Sequence, residues 1–370
     1  MKTKIERGAL LKALGHAQPI VERRNTIPIL SNLLLDASAE GLVISATDLD
    51  IQTRERVAAE VLSPGRTTVQ AHLLFDVIRK MPDGSQITME TDGGRMTITA
   101  GRARFQLPTL PDDQFPELNA GEMPCTFSMP AETLKRLLSR AKFAMSTEET
   151  RYYLNGVFMH MSGEGDEARL RIVSTDGHRL ALVTTDAPRI EGEMPRVIVP
   201  RKCVGEIIKV VEEIDGDVEI SLSTTKIRFA MGEMVYLSKV IDGTFPEYER
   251  VIPRQNDKTL VVDSDELAEG IDRVSTIATE KTRAVKVTVG RDRLTLSVTS
   301  PEHGTATEEV STSYDGPDME IGFNSRYLLD ILALQKRQKI EIVMNDGASP
   351  TIIRQKDDAD DLCVIMPMRV

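Results

Sequence analysis

Tryptophan is absent from the 370-residue chain, and aromatic residues make up only 4% of it. The hydrophobic cores must therefore be built mainly from Leu, Ile, Val and Met. The longest apolar stretches, such as YLLDILAL, are far shorter than a membrane span, so we expect no membrane contact. The beginning, MKTKIERGALLKALG, lacks an uninterrupted apolar segment and a small-residue cleavage site, and we expect no secretory signal.

Cysteine is scarce as well. Cys125, Cys203 and Cys363 are odd in number, lie far apart and form no CxxC motif. This usage argues against a disulfide framework and against a zinc site, and it is typical of a reducing compartment. We therefore expect a cytoplasmic protein that holds neither a metal nor another cofactor.

An excess of positive charge is also missing, because the formal net charge is −11. Nucleic-acid-binding proteins are usually basic, so the overall charge argues against that class. It leaves open a protein whose basic residues are concentrated on one surface. The catalytic patterns GxSxG, HExxH and GxxxxGK[ST] do not occur in the sequence.

What the chain does contain is repetition. FPE occurs at 115–117 and again at 245–247, and TD at 47–48 is followed by TD at 175–176 and TS at 299–300. The segments AHLLFDVI, RKCVGEII and SRYLLDIL align in register, as do GALLKALGHA, ETLKRLLSRA and DELAEGIDRV. Several matches in one order indicate repeated domains. We predict three homologous domains, at 1–120, 124–250 and 255–370.

Each repeat predicts two helices packed on antiparallel sheet, so the fold class is α+β. Helices are expected at 6–18, 70–81, 131–143, 201–213, 264–277 and 325–339, from apolar residues recurring at helical spacing. QITMETDGGRMTITA predicts a hairpin, with Ile87 and Met89 facing inward on one strand, Met96 and Ile98 on the other, and the turn at Asp92–Gly93.

STDGHRLALV at 174–183 resembles a catalytic site, since Asp176 and His178 lie two residues apart beside a glycine. A hydrolase using this pair is one hypothesis. However, the stretch aligns with ATDLDIQTRE and VTSPEHGTAT in the other repeats, where the polar residues differ. A dyad also needs a nucleophile within reach, and the spacing shows none. We therefore favour a structural or binding role for this turn.

Basic residues are concentrated on some of the predicted helices. Helix 131–143 has a net charge of +3, and its apolar stripe leaves Lys135, Arg136, Ser139, Arg140 and Lys142 on the solvent side. Helix 264–277, at −3, should contribute little. One such face is by itself an ordinary solvated surface, but repeated in three domains it could attract a phosphate backbone without reading bases.

The stretches RYYLNG, TDGHRLA, VIVPRK, FPEY, EIGFN and MPMRV give the whole chain a resemblance to the bacterial DNA polymerase III beta subunit family, the sliding clamps. The resemblance implies a non-catalytic processivity factor. It also implies a head-to-tail homodimer that closes a ring around double-stranded DNA without regard to sequence. Its implied partners are the polymerase III alpha subunit, the clamp loader and other proteins that carry clamp-binding peptides. A β-rich scaffold that binds proteins but not DNA is the alternative.

The resemblance also implies site residues. The DNA-facing positions that match are Arg24, Tyr152, Tyr153, Arg201 and Lys202. To these we add His72, which aligns with Lys202, and the helix cations Lys135, Arg136 and Arg140. The peptide-binding cleft matches Leu154, Thr175, Gly177, His178, Arg179, Leu180, Pro246, Val251, Val364, Met366, Pro367, Met368 and Arg369.

The chain end is expected to divide into two parts. Cys363–Ile365 should complete a sheet, whereas Pro367 cannot donate a backbone hydrogen bond, so Met366–Val370 should serve the cleft instead. Methionines suit a site that repacks around different partners, although filling of a core is the other reading. The sequence departs from the family at Pro350, where a small polar residue is usual, and at PEHGTATEEV, which is less acidic than expected.

Overall fold

The computed structural model describes residues 1–279, 283–358 and 360–369. Six α-helices lie close to the predicted positions: α1 Arg7–Ala17, α2 Ala71–Arg79, α3 Ala131–Lys142, α4 Arg201–Val211, α5 Ser264–Ser275 and α6 Ser325–Leu332. The helix prediction is thereby confirmed, except for the end of the last one.

The strands of the first repeat are β1 Lys2–Glu6, β2 Asn32–Ser38, β3 Gly41–Thr47, β4 Ile51–Val57, β5 Glu60–Ser63, β6 Gly65–Gln70, β7 Gln86–Asp92, β8 Arg95–Ala100 and β9 Ala103–Leu110. Those of the second are β10 Cys125–Pro130, β11 Gly156–Ser162, β12 Arg169–Thr175, β13 Arg179–Asp186, β14 Val197–Pro200, β15 Asp217–Leu222, β16 Lys226–Met231 and β17 Met234–Lys239. Those of the third are β18 Lys258–Asp263, β19 Ala284–Gly290, β20 Arg293–Ser300, β21 Gly304–Ser313, β22 Met319–Asn324, β23 Lys339–Met344, β24 Thr351–Gln355 and β25 Leu362–Ile365. All the pairings between them are antiparallel among the described residues, which confirms the α+β class.

Helix boundaries follow from local chemistry. Side-chain oxygens cap three helices: Glu6 accepts from the Ala9 N–H, Asp263 from two N–H groups of α5, and Asn324 from two of α6. The helix predicted over 325–339 ends at Leu332 instead, and the chain then turns, with Arg337 at a left-handed φ of 59°, before Lys339 begins β23. The basic residues at 336–339 therefore do not lie on a helix, which corrects the prediction.

The hairpin predicted from QITMETDGGRMTITA is present, and its turn lies one residue further along. Asp92 pairs with Arg95, so the two-residue loop is Gly93–Gly94. Both glycines have positive φ, at 52° and 79°, as a type I′ turn requires. Ile87, Met89, Met96 and Ile98 are all fully buried, as predicted.

The chain divides into two compact units that cut across the three repeats. Unit 1 comprises 1–135, 188–195 and 202–240, and unit 2 comprises 136–187, 196–201 and 241–370. Unit 1 holds a 13-stranded sheet in the order β10-β15-β16-β17-β4-β3-β2-β6-β9-β8-β7-β1-β5. Unit 2 holds a 12-stranded sheet in the order β14-β11-β12-β13-β25-β24-β23-β18-β21-β20-β19-β22.

Strand pairing between repeats explains this division. In unit 1, β17 at the end of the second repeat pairs with β4 of the first. In unit 2, β25 at the end of the third repeat pairs with β13 of the second. Each pairing merges the sheets of neighbouring repeats, so the middle repeat contributes strands to both units.

Candidate functional site

The turn at Thr175–Arg179 is held by its own polar side chains. The Thr175 hydroxyl donates to the Arg179 carbonyl at 2.7 Å and accepts from the Gly177 N–H at 3.1 Å. Asp176 Oδ1 accepts from the N–H groups of His178 and Arg179 at 2.9 and 3.0 Å. This is a side-chain-to-backbone turn motif, so the Asp176 carboxylate is occupied by folding.

The imidazole of His178 is exposed and makes no hydrogen bond within the part of the chain that the structure describes. Its ring stacks on Tyr327 with centroids 6.1 Å apart. The second oxygen of Asp176 accepts from Arg179 Nε at 3.0 Å rather than from the imidazole. The residues therefore do not form an Asp–His dyad, in agreement with the structural or binding role favoured above.

Arg179, the last residue of this turn, is held on several sides, and only 10% of its side chain is exposed. Its guanidinium donates to Asp176 and, at 2.6 Å, to Asp330. It also lies over the rings of Tyr327, at 4.4 Å, and Phe143, at 5.1 Å. Tyr327 and Asp330 were missed by sequence reasoning, because a periodic helix pattern does not show which polar face a neighbouring turn contacts.

The predicted peptide-cleft residues fall into two classes by exposure. Leu154, Leu180 and Val364 are buried in one apolar cluster with Phe245 and Tyr248. The exposed members, on the other hand, are Gly177, His178, Pro246, Val251, Met366 and Arg369, whereas Thr175, Arg179, Pro367 and Met368 are half-buried. The buried residues can only support such a cleft, and the exposed ones can contact a ligand.

Exposed apolar side chains mark predicted positions of both the peptide cleft and the DNA-facing surface. In the described residues of unit 2, the large hydrophobic side chains classed as exposed are Tyr152, Val251 and Met366, at 53%, 49% and 41%. All three were predicted site residues. Exposure on this scale is contrary to core filling for Met366, which was the alternative interpretation.

The chain end corrects one prediction. β25 pairs with β13 and β24, so Cys363–Ile365 do complete the sheet. However, the Met366 N–H donates to the His178 carbonyl at 2.9 Å, and the Met368 N–H donates to the Gly322 carbonyl at 2.8 Å. Pro367 falls between these two donors, so the terminal segment keeps bonding despite its proline. Val370 lies outside the described residues.

The predicted DNA-facing residues differ in whether their side chains already have a hydrogen-bond or ion-pair partner. The side chains of Arg24 and Tyr152 are exposed and unpaired by hydrogen bond or ion pair within 1–279, 283–358 and 360–369. Tyr152 and Tyr153 meet edge to face, with ring centroids 5.8 Å apart. These positions can therefore contact a ligand without breaking an existing bond.

Lys202 and Arg201 are already bonded. Lys202 Nζ donates to the Ile20 carbonyl, to Glu22 and, at 2.7 Å, to Asp48. Burial lowers the pKa of Lys202, but these carboxylates outweigh it and leave the pKa raised. Arg201 donates to the carbonyls of Met145 and Ser146. Both residues thus hold loops in place in this structure.

Helix α3 corrects the prediction of a free basic face. Arg136 and Arg140 donate to the same oxygen of Asp361, at 2.7 and 2.6 Å. Asp361 is only 6% exposed and also accepts from the Thr184 N–H. A buried carboxylate needs such partners, so it draws both arginines away from solvent. Asp361 was missed because it lies in an acidic run, DDADD, that indicates only a solvated loop.

Two further predicted DNA-facing residues have partners as well. Lys135 pairs with Glu212 at 3.2 Å on an exposed surface, a contact that is weak in water. His72 accepts from the Gln18 amide at Nδ1 and donates from Nε2 to the Val21 carbonyl at 3.0 Å. His72 is therefore engaged on both ring nitrogens, while Lys142, at the end of α3, is exposed.

Neither a metal centre nor a membrane span is found among the residues that the structure describes. No group of three or more His, Cys, Asp or Glu side chains there could hold an ion. In the same residues, no helix combines the length and apolar content needed to cross a bilayer.

Three repeats of two helices on merged antiparallel sheets, with a turn that is not a catalytic dyad, define the class of clamp-fold proteins. Models of the DNA polymerase III beta subunit match the chain as the N-terminal domain over 1–119, the central domain over 128–247 and the C-terminal domain over 249–369. The chain belongs to the DNA polymerase III beta subunit family.

The chain is similar to sliding clamps from other bacteria over the full length of both chains. The beta sliding clamp of Caulobacter vibrioides is 47% identical, and that of Escherichia coli 37%, each with 100% of both chains covered. A DnaN sliding clamp from Bartonella birtlesii, solved bound to griselimycin, superposes with a TM-score of 0.97 at 46% identity, again covering 100% of both chains. The chain is accordingly a DNA sliding clamp, a processivity factor without catalytic activity.

Proposed function

We propose that the chain encircles double-stranded DNA as a head-to-tail homodimer of three-domain subunits, with domains at 1–120, 124–250 and 255–370. The observation that supports ring closure is the way its sheets continue from repeat to repeat. β17 and β25, the last strands of the second and third repeats, each pair with the preceding repeat, on β4 and β13.

Among the described residues, the last strand of the first repeat has no such partner in a neighbouring repeat. β9 pairs with β8 along its length and with β6 only at Thr109 and Leu110. Correspondingly, β21 of the third repeat occupies the place of β4 and β13, and it pairs with β20 and with the end of β18. We therefore pair β9 of one subunit with β21 of the other. Phe105 on β9 is 40% exposed, as an interface residue would be.

Light scattering tests the dimer. Phe105→Asp should convert it to a monomer, whereas Leu62→Asp, an exposed apolar position on β5, should leave the mass unchanged. A dimer that survives Phe105→Asp with unchanged affinity would contradict the β9–β21 pairing.

DNA binding should be topological. After loading by a clamp loader, protein should stay on nicked circular plasmid through gel filtration and leave when the plasmid is cut. Short linear duplex should bind weakly and lose affinity with salt, since phosphate contacts release counterions. Equal retention on linear and circular DNA, or tight sequence-selective binding at high salt, would contradict topological binding, and no retention on either DNA would favour a scaffold that does not bind DNA.

Among the DNA-facing candidates, Arg24, Tyr152 and the neighbouring Tyr153 are proposed as direct contacts. Arg201 and Lys202 are proposed to contact phosphate at the edge of the loops that they hold. Lys135, Arg136 and Arg140 are proposed to contribute mainly through the field of their charges, and His72 through its position. The free side chains of Arg24 and Tyr152 support this order.

Partner proteins are proposed to bind the cleft around His178, Val251 and Met366, with Pro246, Gly177, Met368 and Arg369 at its edges. The polymerase III alpha subunit, the clamp loader and other proteins with clamp-binding peptides are the proposed ligands. The exposed apolar side chains of Val251 and Met366 support this assignment, because such side chains anchor peptides. Three buried free thiols, at Cys125, Cys203 and Cys363, suit a reducing compartment, so we propose a cytoplasmic location.

A further inference from the structure

A second cleft, of about 980 Å³, lies in unit 2 along the segment 245–256. Every residue of that segment except Val251 lines it. The cleft adjoins the predicted peptide cleft at Pro246 but does not include His178 or Met366. No role was predicted for it from the sequence.

The floor of this cleft is rigid. Phe158 stacks on Phe245 with centroids 4.8 Å apart and planes within 5° of parallel. Tyr248 donates to His160 Nε2 at 3.0 Å, since His160 Nδ1 donates to the Met161 carbonyl. Phe245, Tyr248 and His160 are 7%, 5% and 6% exposed, so their faces are closed to a ligand.

The rim of this cleft carries an excess of unpaired positive charge. Both acids of the lining are paired, Glu247 with Arg250 at 2.5 Å and Glu249 with Arg171 at 2.8 Å. By contrast, Arg196 and Arg254 are exposed, and their side chains make no hydrogen bond or ion pair with any residue described by the structure. Burial lowers the pKa of His160, and Arg171 and Arg196 lower it further, which is consistent with a positive field.

Apolar and polar groups complete the walls. Ile252, Pro246 and Pro350 offer apolar surface beside the two free arginines. Asn256 fixes the far wall, because its amide donates to the carbonyls of Val343 and Pro350 at 2.8 and 2.9 Å. The cleft thus combines preformed walls with two uncompensated guanidinium groups.

We propose that this cleft binds an extended acidic peptide segment of a partner protein. Its carboxylates would pair with Arg196 and Arg254, whose planar donors match a carboxylate, and its apolar side chains would rest on Ile252 and Pro350. A single-stranded nucleic acid is the other anionic ligand to consider, but it would need open aromatic faces for base stacking, and the rings here are covered.

The test uses the whole protein and the double variant Arg196→Glu/Arg254→Glu. Dodecapeptides are selected from a random display library on the protein that carries Met366→Glu and keeps Arg196 and Arg254, so that the neighbouring cleft does not dominate. Selected sequences should be rich in Asp and Glu. Their fluorescein-labelled forms should bind the double variant at least about tenfold more weakly by fluorescence anisotropy, with affinity falling as salt rises.

The matched control is Arg189→Glu/Arg291→Glu, which changes the charge equally at two exposed arginines outside the cleft and should leave affinity unchanged. Circular dichroism of each variant checks folding. Selection without acidic enrichment, or equal loss in the control, would overturn the proposal. Loss of binding by a labelled oligothymidylate, without loss of peptide binding, would overturn it in favour of nucleic acid.

Discussion

Two turns of the molecule, 47–51 in unit 1 and 175–179 in unit 2, share one hydrogen-bond pattern. Thr47 donates to the Ile51 carbonyl at 2.9 Å and accepts from the Leu49 N–H. Asp48 Oδ1 accepts from the N–H groups of Asp50 and Ile51. The same four bonds hold Thr175–Arg179.

The two turns differ in their third residue, in the partner of their aspartate and in their last two residues. The first has Leu49 at a φ of 78°, and its Asp48 bonds Lys202. The second has Gly177 at 89°, and its Asp176 bonds Arg179. His178 and Arg179 replace Asp50 and Ile51. The repeated residues therefore build the turn, and the residues that differ are those proposed to form the binding surface of the second turn.

The largest effect should follow deletion of Met366–Val370. Losing two apolar anchors costs roughly 2 kcal/mol or more each, which is on the order of a thousandfold in affinity for a clamp-binding peptide. The dimer should remain, but the melting temperature should fall, because two backbone hydrogen bonds go as well. Calorimetry and light scattering measure the two outcomes.

Met366→Ser/Met368→Ser is the matched control, since it keeps both backbone donors. It should lose peptide affinity without the fall in melting temperature. Unchanged peptide affinity in the truncated dimer would refute the cleft assignment, and collapse to monomer would show that the segment is structural.

The next largest effect should follow removal of the aspartate in each turn, Asp48 or Asp176. Asp48→Ala and Asp176→Ala should each lose about 2–3 kcal/mol of unfolding free energy, because hydrogen bonds to a charged group disappear. Only Asp176→Ala should also weaken peptide binding, since it removes one of the two carboxylates that hold Arg179 beside His178. Denaturant unfolding and calorimetry decide this, and equal peptide loss in both variants would erase the proposed difference.

Exchange of the third turn residue should have a smaller, asymmetric effect. Gly177→Leu should cost about 1–2 kcal/mol from left-handed strain, while the mobile end of the Arg151 side chain, 2.6 Å from the new Cβ, can shift away. Leu49→Gly should instead stabilise by about 0.5 kcal/mol, since relief of strain exceeds the entropy cost of glycine. A stabilising Gly177→Leu in thermal melts would contradict this account.

Periodicity and repetition were enough to predict the six helices, the three repeats and the turn role of TDGHRL. They could not predict that Asp361 would draw Arg136 and Arg140 inward, because that contact joins residues about 220 positions apart. The bonding of Met366 and Met368 was missed for a related reason. A proline removes only its own donor, and its neighbours on both sides kept theirs.

His16 in unit 1, which is half-buried, and His160 in unit 2, which is buried, should give opposite pH responses. Burial lowers the pKa of His16, but Glu55 and Glu213 outweigh it and raise the pKa overall, so its stabilising contribution is full below pH 6.5 and is lost as the pH rises through the folded value. Burial lowers the pKa of His160, so its contribution is present above pH 6.5 and is lost on acidification.

Melting temperatures of His16→Gln and His160→Gln, each relative to wild type, measure this between about pH 5.5 and about pH 8.5. The deficit of His16→Gln should narrow as the pH rises, and that of His160→Gln should narrow as the pH falls. Parallel trends for the two variants would contradict the opposite environments.

The smallest effect on stability should come from His178→Ala, at the position where the second turn most departs from the first. The imidazole is exposed and unbonded within the described chain, and the backbone groups that hold the turn and Met366 remain. The unfolding free energy should therefore change by less than about 0.5 kcal/mol, and no reaction should be abolished. Peptide affinity should still fall, since the ring that stacks on Tyr327 is lost.

The matched control is Asp50→Ala, at the same position of the first turn. This change removes the surface ion pair with Lys239 and should leave peptide affinity unchanged. A hydrolytic activity in the purified protein that disappears with His178→Ala would show instead that the second turn had become a catalytic site.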